Sequence, residues 1–118
     1  MLKGTLRCSK TDGFGIPRCC TMLFENGIYQ GFFTDRSCYK INSSVKIYMV
    51  KINLGSQTIV FHYNTGELVL RPGESKVFAH VWNIPKDYEP GCYRIEGYDD
   101  AEELRHIKFY IPIVIIGY

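Results

Sequence analysis

Five cysteines and three histidines hold most of the reactive chemistry in this chain: Cys8, Cys19, Cys20, Cys38 and Cys92, with His62, His80 and His106. A structural zinc site draws on ligands paired about two residues apart, and no two of these cysteines have that spacing. Cys19 and Cys20 are adjacent, so within a strand they point to opposite faces and cannot share a ligand. The histidines fall on separate segments. An odd number of cysteines leaves at least one thiol unpaired within the chain, so all five stand as candidate disulfide partners or reactive thiols.

Cys92 and His80 are the pair from which a nucleophilic site could be assembled, on strands consecutive in sequence. Such a site also needs an orienting group for the base and donors for an oxyanion, and the sequence signals neither. A blue-copper centre crowds Cys, His and Met into one late loop, whereas the last methionine here is Met49. The four-histidine, one-cysteine iron site of superoxide reductases cannot be filled by three histidines. The expectation is a protein with no catalytic residue, no metal and no cofactor, and His80 is expected to be a core-edge residue satisfied by a carbonyl or a tyrosine hydroxyl.

A second kind of chemistry is adhesive. Phe14 and Ile16 in "DGFGIPR", and Phe32 and Phe33 in "GFFTDR", lie beside loops with Arg18 and Arg36 at their flanks. Aromatic anchors next to arginine are the usual currency of protein contact surfaces. These six residues form the candidate protein-binding patch, against the simpler reading that Phe32 and Phe33 finish a strand.

The elements that must position these residues are strands. Apolar residues recur with period two between turn signals, and no window has the 3.6 period of an amphipathic helix. A short edge strand and a loop fill the first 18 residues. Asn26-Gly27 tolerates positive φ, which predicts a hairpin from about Cys19 to Phe33. In "VKIYMVKINL" the lysines at 46 and 51 break the alternation by an odd step, predicting a bulge or a central strand covered on both faces. "RPGES" is a turn with Gly73 in the left-handed position. It leads into a strand with Phe78, His80, Trp82 and Ile84 on one face, where Trp82 is expected as a core anchor. "DDAEELRH" is too short for more than one helical turn. The last strand lines Ile107, Phe109, Ile111, Ile113 and Ile115 along one face, and Pro112 argues for an edge or a bulge there.

The summed reading is all-β: an antiparallel immunoglobulin-like β-sandwich of about eight or nine short strands, one domain over residues 1–118. A composition of 46% apolar and 22% charged residues fits a folded chain. Lys and Arg number 14 against 12 Asp and Glu and are scattered, so no cationic patch for nucleic acid is expected. The longest apolar run, "FYIPIVIIGY", is too short to span a bilayer, and the start has no signal-peptide pattern. A cytoplasmic protein is the expectation.

From Tyr39 onward, "LVLRPGESKVFAHVW" followed by "IPKDYEPGCYRIEGY" resembles the cell-adhesion-related (CARDB-type) domains of bacteria and archaea, and the intracellular proteinase inhibitor family of the bacillus type. The residues matched are Leu70, Pro72, Gly73, Glu74, Trp82, Pro90, Gly91 and Tyr93. The resemblance implies an immunoglobulin-like scaffold and a non-catalytic protein-binding or assembly role, with proteinase inhibition as one form of it. A structural component of a virion, surface layer or appendage is the alternative, and a small Cys/His enzyme or metal protein stands behind both. The partner is expected to be a protein of unknown identity. The isoleucine-rich last strand either pairs with a second copy of the chain or is central.

Overall fold

In a computed structural model the described residues are 4–10 and 21–117, with side chains described for 21–117. Ten strands follow one another: β1 (Gly4–Lys10), β2 (Thr21–Leu23), β3 (Ile28–Thr34), β4 (Cys38–Lys40), β5 (Ser44–Asn53), β6 (Ile59–Tyr63), β7 (Gly66–Leu70), β8 (Ser75–Asn83), β9 (Gly91–Asp99) and β10 (Phe109–Ile116). They make two four-stranded sheets, β1-β9-β10-β4 and β2-β3-β5-β8, and a separate β6-β7 hairpin. All pairings are antiparallel except β10 with β4. The all-β sandwich expected from the period-two pattern is what the chain forms. Among the described residues no helix is long and apolar enough to cross a membrane.

The core lies between the two sheets. Phe32 of β3, Val45, Ile47 and Met49 of β5, and Phe78 of β8 meet Tyr93 and Ile95 of β9 and Phe109, Ile111, Ile113 and Ile115 of β10. The rings of Phe32 and Phe109 pack at a tilt across the gap, 4.9 Å between centroids. A second cluster closes one end, where the β6-β7 hairpin and the turn after β9 bring Phe61, Leu70, Ala101 and Leu104 onto Ile28. That turn is "DDAEELRH", a single helical turn in which Arg105 N–H reaches the Ala101 carbonyl at 2.9 Å.

The predicted turns form where glycine makes them possible. Gly27 has φ of +88°, and a side chain there would run into the backbone of Gly55, 2.6 Å from its Cα. The hairpin it closes joins β2 to β3. Gly73 has φ of +83° and lies in a turn closed by Glu74 N–H on the Arg71 carbonyl.

One local expectation is decided between its alternatives and two need correction. Of the two readings for β5 the bulge is absent and the strand is central, between β3 and β8: residues 45, 47, 49, 51 and 53 all face inward and are buried, so Lys51 continues the inner face instead of breaking it. Pro112 does not put β10 at an edge, because β10 runs between β9 and β4. Val114 N–H points to the β4 side, onto the Ser37 carbonyl, and Pro112, two residues earlier, turns its nitrogen to that same side beyond the end of β4. Its missing N–H therefore costs no ladder bond. Trp82 is half-buried and packs edge-on against Tyr88 at 5.4 Å, and Tyr88 lies against buried Tyr93 at 5.1 Å. The tryptophan joins one end of the sandwich through this ladder and is not a deep anchor.

Candidate functional site

Inside the sandwich, one constellation breaks the apolar pattern. Lys51 of β5 and Asp99 at the end of β9 are 0% and 1% exposed, and the Lys51 Nζ is in direct contact with Asp99 Oδ2. Gln30 stands beside Lys51 in the β3-β5 register and bridges the pair. Its Oε1 accepts from Lys51 Nζ at 3.2 Å, and its Nε2 donates to Asp99 Oδ2 at 3.3 Å. The other carboxyl oxygen, Oδ1, accepts the Ala101 N–H at 2.8 Å. The Phe61 ring lies 5.0 Å from the Lys51 nitrogen.

This group is central because Asp99 ends a strand of one sheet and Lys51 and Gln30 belong to the other. Burial pushes the Lys51 ammonium down to about 7. Nearby Asn53, also fully buried, has its donors and acceptor engaged by the Gln57 and Leu70 carbonyls and the Gly55 N–H. Asn53 holds the β5-β6 loop against the end of β7. Neither Lys51 nor Asp99 was legible as a site in the sequence, because a lysine at an odd step reads as a surface residue.

A second polar group lies on the surface. His62 of β6 takes Glu103 at 2.6 Å on Nδ1 and approaches Glu67 at 3.8 Å on Nε2. The hydrogen bond to Glu103 raises the His62 pKa above its ordinary value. Burial works to raise Glu103, but the His62 hydrogen bonds outweigh it and hold the carboxyl low. The backbone joins in: His62 N–H donates to Glu103 Oε1 and its carbonyl accepts Glu102 N–H. The cluster fastens the post-β9 turn to the β6-β7 hairpin.

The residues singled out from sequence are scattered. His80 is not a satisfied core-edge residue: it shares the inner face of β8 with Phe78, but β8 is the edge of its sheet and leaves it exposed. Cys38 and Cys92 both register with Val114, from opposite sides of β10. Two strand spacings, roughly 9–10 Å, separate their backbones, too far for a disulfide. Cys38 is exposed and Cys92 half-buried. Cys8 lies on β1 opposite Ile95, while Cys19, Cys20, Phe14, Ile16 and Arg18 lie outside the described residues. Among the described residues no group of His, Cys, Asp and Glu has metal-holding geometry.

The adhesive patch is divided by strand alternation. Phe32 is fully buried and belongs to the core, which removes it from any surface. Phe33 faces outward at 38% exposed, with its ring over Gly31. Arg36 is exposed in the β3-β4 turn, where its N–H donates to the Tyr39 hydroxyl, itself bonded to Asp35.

The outer face around Phe33 was missed, and it is the more distinctive surface. The registers of β2, β3, β5 and β8 set Leu23, Tyr29, Phe33, Tyr48, Val50, Ile52, Val77, Ala79 and Val81 on one side. Leu23 is 63% exposed, Val77 54% and Val81 52%. Lys46 is the single charged residue among the outward positions of these four strands. A solvated sheet face is ordinarily polar, so this one is anomalous. The signal was present in the sequence as a β5 run apolar at both parities.

No protein-family model matches the chain, and no curated protein sequence matches it. Among solved structures the chain is similar to part of a β-glucosidase from Erythrobacter marinus, at 12% identity and a TM-score of 0.48, over 96% of this chain and 16% of the glucosidase. The chain thus spans about a sixth of that enzyme's length, and a likeness at this level carries no activity across.

Proposed function

We propose that this protein is a non-catalytic protein-binding and assembly module, and that it works by pairing the outer face of the β2-β3-β5-β8 sheet with a second copy of itself. The observation that carries the reading is that face: apolar side chains on four adjacent strands, with Thr21, Ser44, Ser75 and Asn83 among the outward positions and Lys46 as their one charge. A surface so poor in charge does not select an oppositely charged partner, and a second copy brings the same uncharged patch to a two-fold contact. Among the described residues the adjoining strand β8 ends the sheet, and an edge strand is a site for further strand pairing.

The motif from Leu70 to Tyr93 keeps a proteinase-inhibitory form of this role in view, since that is where the inhibitor resemblance lies. A panel of serine proteases left fully active by excess protein removes that form without touching the assembly reading.

The decisive experiment is native mass spectrometry of the full chain over a concentration series, paired with Val77→Lys/Val81→Lys. The expected result is a dimer or larger assembly that the double variant reduces to a folded monomer. A wild-type protein that stays monomeric at high micromolar concentration overturns the assembly reading.

A further inference from the structure

The buried lysine calls for an explanation that packing does not give. A buried ion pair contributes little net stability compared with apolar side chains of the same volume, because desolvation offsets the attraction. Yet this one is central, bridged by a third polar side chain, and joins the two sheets. Lys51 Nζ and the Asp99 carboxyl are in direct contact.

We infer that Lys51 and Asp99 form an intramolecular isopeptide bond, a covalent amide between β5 and the end of β9. The inference stands apart from the assembly reading, since it concerns the interior and not the outer face.

Each neighbour has a part in the chemistry. Burial disfavours charge on both partners, so transfer of one proton from Lys51 to Asp99 gives a free amine beside a carboxylic acid. Nζ adds to Cγ, and the electron pair of the C=O bond moves onto Oδ1, where the Ala101 N–H at 2.8 Å receives it. Gln30 Oε1 accepts an N–H from the attacking nitrogen, which turns the lone pair toward Cγ, and its Nε2 donates to Oδ2, the oxygen that departs. Collapse of the tetrahedral carbon breaks the Cγ–Oδ2 bond. The oxygen leaves as water with the proton of the acid and one proton from Nζ, so the step needs no oxidant and no co-reactant.

Amide formation between free acids and amines is unfavourable in water, and the fold alters the balance. Holding the two groups in contact supplies an effective concentration on the order of 10⁵–10⁸ M. The Phe61 ring and the end cluster of Ile28, Leu70 and Leu104 keep bulk water from reversing the step. Gln30 acts as a positioning residue.

The test is the intact mass of the full chain, denatured and reduced so that disulfides do not contribute. The expected mass is lower than that of the sequence by one water, about 18 Da. Trypsin should leave Lys51 uncut and release one branched peptide joining residues 47–76 to 95–105. Lys51→Arg should show its full mass, and because the chain is weighed denatured, that readout does not depend on how well the variant folds. A wild-type chain of full mass, with normal cleavage at Lys51, overturns the inference. So does a deficit confined to the 95–105 peptide, which would be a succinimide at Asp99.

Discussion

Phe32 and Phe33 are adjacent and chemically identical, and the sandwich gives them opposite fates. The perturbation is truncation of each in turn. Phe32→Ala removes a fully buried ring that packs against Phe109 at 4.9 Å. A phenylalanine-to-alanine change in a packed core costs about 3–5 kcal/mol, a large share of the ~5–15 kcal/mol that holds a domain together. For a chain of this length the melting temperature should fall on the order of 10–20 °C. Phe33→Ala removes a ring that is 38% exposed and rests on Gly31, so its cost to the fold should stay under about 1 kcal/mol. The assay is urea unfolding at low protein concentration, followed by the fluorescence of Trp82, the single tryptophan. Sedimentation at high concentration then reads association, which Phe33→Ala should weaken. Equal destabilisation by the two changes, or the larger loss at Phe33, would refute the assignment of inner and outer faces.

Two further outcomes follow from the geometry. Gly27→Ala should destabilise the fold by at least about 2 kcal/mol, since the new methyl group meets both an unfavourable φ of +88° and the Gly55 backbone; thermal melting reads it, and a neutral result would contradict the turn. The His62–Glu103 pair should add stability only while the carboxylate is ionised and the imidazole protonated. Because His62 is raised, its share is fully present below about 6.5 and lost as pH rises through the folded value; because Glu103 is lowered, its share is lost as pH falls through the folded value. An NMR titration should show His62 above the ordinary range and Glu103→Gln bringing it back down, whereas an unchanged titration would remove Glu103 as the cause.

The sandwich was legible because alternation is a local signal. Residues 109, 111, 113 and 115 were placed on one face from their spacing, and all four are buried. The turns at Gly27 and Gly73 were legible for the same reason: each is a backbone demand met by one residue type. Sheet order was not legible. That β4 pairs in parallel with β10, and so makes the last strand interior, depends on contacts between residues more than seventy positions apart, on which period and propensity are silent. Trp82 was misplaced by the same gap in information, since its half-burial follows from β8 being the edge of its sheet.

Lys51 shows why the candidate site was harder to read than the fold. The run "VKIYMVKINL" has two lysines five residues apart, and an alternating strand cannot set both in solvent. A bulge would set both in solvent and a central strand would bury one of them, and the period alone leaves both readings open, because a buried lysine is costly unless a partner meets it. The partner is Asp99, 48 residues further on and followed by Asp100, in a segment whose composition reads as one helical turn or a loop. Once Asp99 is placed inward with Gln30 beside it, the unbroken alternation and the buried charge explain one another. A broken period in an otherwise regular strand is therefore as good a pointer to interior chemistry as to a backbone irregularity. Here the strand kept its period and the polar residue turned inward, which is where a group with unusual chemistry is most protected from water.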